Sequence, residues 1–79
     1  MEYILRIFLL RHAHVEYASY LGANPDASLS PTGEAQSQWL CRYFDSVPLD
    51  RIISSPFKRA IQTVTPLAQS KGLPVDVQL

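Results

Sequence analysis

An apolar run that stops at two polar side chains, Ile4-Leu5-Arg6-Ile7-Phe8-Leu9-Leu10 and then Arg11-His12, constrains this chain more than any other feature. A run this short and this nearly continuous predicts a strand buried on both faces, as the central strands of parallel sheets are. Such sheets take their ligands outside the carboxyl ends of their strands, so Arg11 and His12 would emerge where ligands bind. A guanidinium beside an imidazole suits an anion whose chemistry involves attack by nitrogen, and phosphate fits that description. The plainer reading is a polar pair that caps a strand end and is satisfied by backbone carbonyls.

The rest of the chain alternates helix and strand signals. Residues 22–29 are rich in Gly, Asn, Pro, Asp and Ser and read as a loop. Ser30 then suits an N-cap, with Pro31 at the first helical position, where its missing N–H costs nothing. Ala35, Trp39, Leu40, Tyr43, Phe44 and Val47 follow at helical spacing and predict one buried face, with Pro48 as the stop. Residues 51–54 form a short apolar strand, and Ser55-Pro56 repeats the cap-then-proline signature. The next helix would bury Phe57, Ala60, Ile61, Val64, Leu67 and Ala68, with a kink or restart near Thr65 because Pro66 falls inside it. Lys71-Gly72 ends it, and residues 75–77 form a third strand after Pro74. The order β-loop-α-β-α-β is the grammar of a parallel sheet with helices packed on it.

Composition narrows the function classes. Seventy-nine residues make one small domain, and 47% apolar with 18% charged residues marks a globular chain. Seven Lys and Arg balance seven Asp and Glu, so nothing favours nucleic acid as a partner. The single cysteine, Cys41, cannot form an internal disulfide, which fits a reducing compartment. The N-terminal apolar run is interrupted by Arg6, is too short to span a bilayer and has no small-residue cleavage site after it, so a cytoplasmic protein without a membrane association is expected. No Gly-x-x-x-x-Gly-Lys loop and no His/Cys cluster is present, so neither a nucleotide triphosphatase nor a metal site is expected, and no cofactor is implied. Cys41 lacks the arginine six residues on that a cysteine phosphatase needs, since Val47 stands there.

Three segments together resemble a known family. Leu10-Arg11-His12-Ala13 is similar to the Arg-His-Gly signature of the histidine phosphatase superfamily, which includes phosphoglycerate mutases and acid phosphatases. Leu29-Ser30-Pro31-Thr32-Gly33-Glu34-Ala35-Gln36 resembles its Leu-Thr-x-x-Gly-x-x-Gln helix start. Ser54-Ser55-Pro56-Phe57-Lys58-Arg59-Ala60-Ile61-Gln62-Thr63 is similar to its Ser-Ser-x-x-x-Arg-Ala-x-Gln-Thr segment. The resemblance covers nearly the whole chain.

The resemblance implies an α/β fold: a three-layer α/β/α domain with a mostly parallel sheet, of which residues 1–79 form the N-terminal part. It implies that His12 takes up a phosphoryl group as phosphohistidine, and that Arg11 and Arg59 bind the phosphoryl oxygens. Guanidinium forks suit that task, and two of them also disfavour the imidazolium, which cannot attack. The substrate would be a phosphorylated small molecule or another phosphomonoester. Two family groups, an acidic proton donor after the third strand and a second histidine after a later strand, have no counterpart at matching positions; Glu16 and Glu34 do not match the acid. Hence the chain is expected to lack turnover. Ala13 stands where the family has glycine, and His14-Val15-Glu16-Tyr17-Ala18 departs from the family's next residues. His14 and Glu16 could line a pocket or simply form a surface loop, and Tyr17 and Tyr20 frame a substrate or pack the loop.

The family's strand with the second histidine lies between the chain's first and second strands, so residues 4–10 would present an unpaired edge. Self-association through that edge is expected. Beside a phosphatase stand two alternatives: a mutase-like phosphoryl transferase, and a non-catalytic remnant or interaction module.

Overall fold

The computed structural model describes residues 6–15 and 27–78. Among these residues two helices, α1 (Pro31–Tyr43) and α2 (Lys58–Lys71), alternate with two strands, β1 (Ile52–Ser54) and β2 (Val75–Val77). The strands run parallel with Ile52 opposite Val75 and Ser54 opposite Val77, and the Gln78 amide extends the ladder to the Ser54 carbonyl at 2.9 Å. The helices pack on each other, and α2 also packs on both strands.

Helix α1 begins as its sequence dictates. Ser30 is extended (φ −72°, ψ 169°), and its hydroxyl accepts the Gly33 amide at 3.0 Å, with Pro31 next in line. Its end comes earlier than Pro48 requires, at Tyr43. There the ladder tightens, Asp45 donating to the Arg42 carbonyl, while Phe44 turns inward to 2% exposure. Lys71 Nζ then donates to the Asp45 and Val47 carbonyls at 3.1 and 2.9 Å, so the early stop leaves these groups satisfied.

The inward face of α1 differs from the expected one. Gly33, Ser37 and Phe44 are buried and Leu40 and Cys41 partly so, whereas Ala35 is exposed and Trp39 and Tyr43 are each 58% exposed, stacked on one another at 5.5 Å. Small residues at the contact let the helix lie close, and this rotates its large aromatics outward. Of the expected aromatic core, Phe44 alone is buried.

Helix α2 starts at Lys58 with Phe57 as N-cap and no capping side chain, so Ser55-Pro56 precedes the helix instead of opening it. It runs unbroken through Pro66, held by buried Leu67 and Ala68, and no restart occurs at Thr65. Gly72 ends it in the left-handed region (φ 67°), where a side chain would be strained, and the Leu73 amide closes back on Ala68 O at 3.0 Å. Phe44, Ile52, Leu67 and Ala68 form the core, with Val47, Val64, Leu73 and Val75 against it.

The expected first strand is the main correction. Residues 6–10 have no regular structure, and Ile7 and Leu9 are 73% and 92% exposed. A both-faces-buried strand needs a neighbour on each side, and among the described residues no strand lies beside this segment. Its apolar anchor is Phe8, whose ring meets Phe44 edge-on at 5.1 Å. Ile4 and Leu5, and most of the 22–29 loop, lie outside the described residues, as do Glu16, Tyr17 and Tyr20.

Candidate functional site

Arg11 and His12 therefore leave an irregular segment, and the helices hold the residues that follow them, Ala13 through Thr63 and His14 through Gln36. A small cluster of Ala13, Val15 and Leu29 forms the floor, and Val15 bridges antiparallel to Leu29. His12 is half-buried above it and Arg11 is exposed. His12 Nδ1 lies 2.8 Å from the Ala13 carbonyl. A carbonyl only accepts, so Nδ1 carries the proton and the neutral ring holds its lone pair on Nε2. That tautomer follows from the bonding pattern. The Ala13 amide in turn donates to Thr63 Oγ1 at 2.9 Å, and the Thr63 hydroxyl donates to the Arg59 carbonyl at 2.6 Å. Ala13 adopts no positive φ, so its replacement of a glycine strains nothing.

The next residue is strapped to α1. The His14 carbonyl accepts both the Ser30 amide (3.0 Å) and the Ser30 hydroxyl (3.1 Å). With that hydroxyl proton used, His14 Nδ1–H donates to Ser30 Oγ at 2.6 Å. The His14 amide donates to Gln36 Oε1 at 2.9 Å, and the Leu29 amide to Gln62 Oε1 at 2.8 Å. Gly33 is what permits the approach, since a Cβ there would stand 2.0 Å from the His14 carbonyl oxygen. His14 is thus committed to Ser30 and Gln36 as part of the scaffold.

Arg59 sits in the first turn of α2, half-buried, with its guanidinium 4.3 Å from the centroid of the Phe57 ring. Stacking of this kind pre-orients the planar fork. The Thr63 hydroxyl links the main chain of Arg59 to that of Ala13, so the structure brings the His12 segment and the Arg59 turn to one place. Among the described residues no bond ties Arg11 to this network. Two shallow depressions, one at Asp50, Arg51, Pro74 and Asp76 and one between α1 and α2 at Pro31, Glu34, Gln38 and Gln62, take in none of the three site residues. Among the described residues no cluster of His, Cys, Asp or Glu could hold a metal ion.

Gln36, Gln62, Thr63 and Gly33 were visible as motif letters, but their role was not. The signal lies in Gln62 and Thr63, polar residues on the partly buried and buried side of a helix, and in a glycine inside a helix's first turn; Gln36 is exposed and gives no such signal.

The sequence matches the histidine phosphatase superfamily (branch 1) over residues 7–78, and the chain belongs to that family. It is 38% identical over 64 residues to a broad-specificity phosphatase of Saccharomyces cerevisiae, a match covering 76% of this chain and 28% of the yeast protein. Among solved structures it resembles a mycobacterial glucosyl-3-phosphoglycerate phosphatase complexed with VO3 (28% identity, TM-score 0.74, 85% of this chain and 34% of that one). It also resembles the protein histidine phosphatase SixA complexed with tungstate (26% identity, TM-score 0.66, 89% of this chain and 45% of that one). The chain thus spans less than half the length of each of these relatives, and its two helices and parallel strand pair match that part of a phosphoglycerate mutase-like α/β fold.

Proposed function

We propose that residues 1–79 are the N-terminal part of a histidine phosphatase domain and carry its phosphoryl-accepting half-site: His12 as nucleophile, Arg11 and Arg59 as oxyanion ligands. The observation that carries this is the 2.8 Å bond from His12 Nδ1 to the Ala13 carbonyl, which leaves the lone pair on Nε2. In the reaction the Nε2 pair attacks phosphorus, the P–O ester bond breaks, and the leaving alkoxide takes a proton from an acid. Water then attacks the phosphohistidine and releases inorganic phosphate. The guanidinium groups offset the charge spread over the phosphoryl oxygens, where most of the catalysis in such transfers lies. The first turn of α2 favours the same charge through its dipole.

The complexes of two relatives with vanadium and tungsten oxyanions support a phosphoryl group as what the site takes, and the glucosyl-3-phosphoglycerate phosphatase supports a phosphomonoester as its carrier. A mutase-like transfer would use the same half-site. Glu16 and Glu34 do not match the position of the acid that the family uses as proton donor. The chain's single free Cys41 fits a cytoplasmic protein, and among the described residues no helix is long and apolar enough to cross a membrane.

A second reading, an interaction module, draws on the exposed apolar residues Ile7, Leu9 and Leu10. Exposed apolar side chains grouped in this way offer a second copy of the chain a contact surface.

Titration with inorganic phosphate, followed by NMR at the His12 imidazole, tests the half-site. The ring resonances of His12 shift with millimolar affinity, and Arg59→Ala erases the shift. A shift that survives Arg59→Ala removes Arg59 from the site, and no shift in the parent chain removes the half-site.

A further inference from the structure

Thr63 has a use that its helix does not require. A threonine inside a helix commonly donates its hydroxyl proton to the carbonyl four residues back, as Thr63 does to Arg59 at 2.6 Å and Thr65 to Ile61 at 2.6 Å. That bond consumes the proton and leaves the oxygen's lone pairs. Thr65 turns toward the groove between the helices. Thr63 instead is 3% exposed and takes the amide of Ala13, fifty residues away in sequence, at 2.9 Å. The Ala13 carbonyl is the group that holds His12 Nδ1. A single residue, itself 8% exposed, is therefore fixed at its nitrogen to α2 and fixes the imidazole with its oxygen.

We infer that Thr63 is a positioning residue: its hydroxyl ties the Ala13 amide to the Arg59 turn of α2 and thereby sets where the His12 ring stands against Arg59. The three bonds run in series, from His12 Nδ1–H to Ala13 O, from Ala13 N–H to Thr63 Oγ1, and from the Thr63 hydroxyl to Arg59 O. The two groups proposed to meet one phosphoryl group thus sit at the two ends of a single chain of hydrogen bonds. A shift of about 1 Å in such a relation weakens a shared ligand markedly. Valine matches threonine in shape and branching but supplies neither donor nor acceptor, so Thr63→Val strands the Ala13 amide and breaks the series. Serine keeps the hydroxyl and restores it. The inference rests on the proposed role of His12, yet its first readout is the ring itself and needs no ligand.

The test compares the full chain with Thr63→Val and Thr63→Ser by 15N NMR of the imidazole and of the Ala13 amide, then by titration with inorganic phosphate. In the parent chain the Ala13 amide is protected from exchange and the neutral His12 ring is protonated at Nδ1. In the Thr63→Val variant the amide loses protection, the ring's tautomer population moves, and phosphate binds about tenfold more weakly, while Phe44 and β2 resonances stay in place. Thr63→Ser resembles the parent. Unchanged His12 ring shifts and unchanged phosphate affinity in the Thr63→Val variant overturn the inference and leave the half-site standing. A protected Ala13 amide with no phosphate response in the parent chain removes the half-site and leaves the positioning bond standing. Should Thr63→Val fail to fold, two outcomes remain decisive: exchange of the parent's Ala13 amide at the solvent rate, or a displaced His12 ring in Thr63→Ser, each of which overturns the inference.

Discussion

Gly33→Ala gives the sharpest prediction because two accounts of it differ in sign. Gly33 is the third residue of α1, and in an ordinary exposed helix alanine there would stabilise by up to about 1 kcal/mol. Here an added Cβ would stand 2.0 Å from the His14 carbonyl oxygen, 3.0 Å from its carbon and 3.1 Å from its nitrogen. An ordinary carbon–oxygen contact is roughly 3.3 Å, so the His14 peptide must retreat by about 1.3 Å. These are backbone atoms and cannot swing aside as a side-chain tip would. The same carbonyl accepts the Ser30 amide at 3.0 Å and the Ser30 hydroxyl at 3.1 Å, and both bonds break on such a displacement. Two hydrogen bonds at about 1 kcal/mol each exceed the gain in helix propensity, for a net loss of about 1 kcal/mol. Urea denaturation followed by far-UV circular dichroism measures it as a lowered midpoint at constant slope. Amide spectra should also show the His14 and Ser30 signals displaced. A raised midpoint would refute the close-approach argument and leave propensity as the sole effect of the site.

Other perturbations follow from the same contacts. Phe44→Ala removes the largest fully buried side chain among the described residues, which also meets Phe8 and Tyr43 edge-on; the expected cost of about 3–5 kcal/mol should abolish cooperative thermal unfolding. Ile7→Lys, in the exposed apolar run, should lower the apparent mass by size-exclusion chromatography with light scattering, and an unchanged mass would place any self-contact elsewhere.

The elements legible in the sequence are those whose cause is local. Ser30 with Pro31 marks a helix start because the cap bond spans three residues, and Lys71-Gly72 marks an end because glycine alone takes φ 67° without strain. Residues 52–54 and 75–77 are bounded by turn residues and form strands where expected, and they run parallel as the β-α-β order implies. The misreadings share one physical origin. Residues 6–10 carry the pattern of a buried strand, but burial of a strand is a property of its neighbours. Trp39 and Tyr43 fit a helical stripe, yet which stripe faces inward was decided by Gly33 and Ser37, whose small size no hydrophobicity pattern rewards. Pro66 carries a breaking signal that packing of Leu67 and Ala68 overrides.

In the site, Arg11, His12 and Arg59 were singled out by motif. The motif could not say that Thr63, Gln62 and Gln36 hold the loop. Their partners are backbone amides 50, 33 and 22 residues away, and a backbone amide has no letter of its own in a sequence.

The central claim is that His12 presents Nε2, and not Nδ1, to phosphorus. Phosphoramidate tests it directly, because its leaving group is ammonia, protonated by water, and transfer needs no acid from the chain. The chain holds two histidines, His12 and His14, so each molecule carries its own control. The account predicts a phosphohistidine at His12 by peptide mass spectrometry, with phosphorus coupled to Nε2 by 31P–15N NMR, and little at His14, which the proposed half-site with Arg11 and Arg59 does not include. Phosphorylation of the two histidines at equal rates, or attachment at Nδ1 of His12, would contradict it.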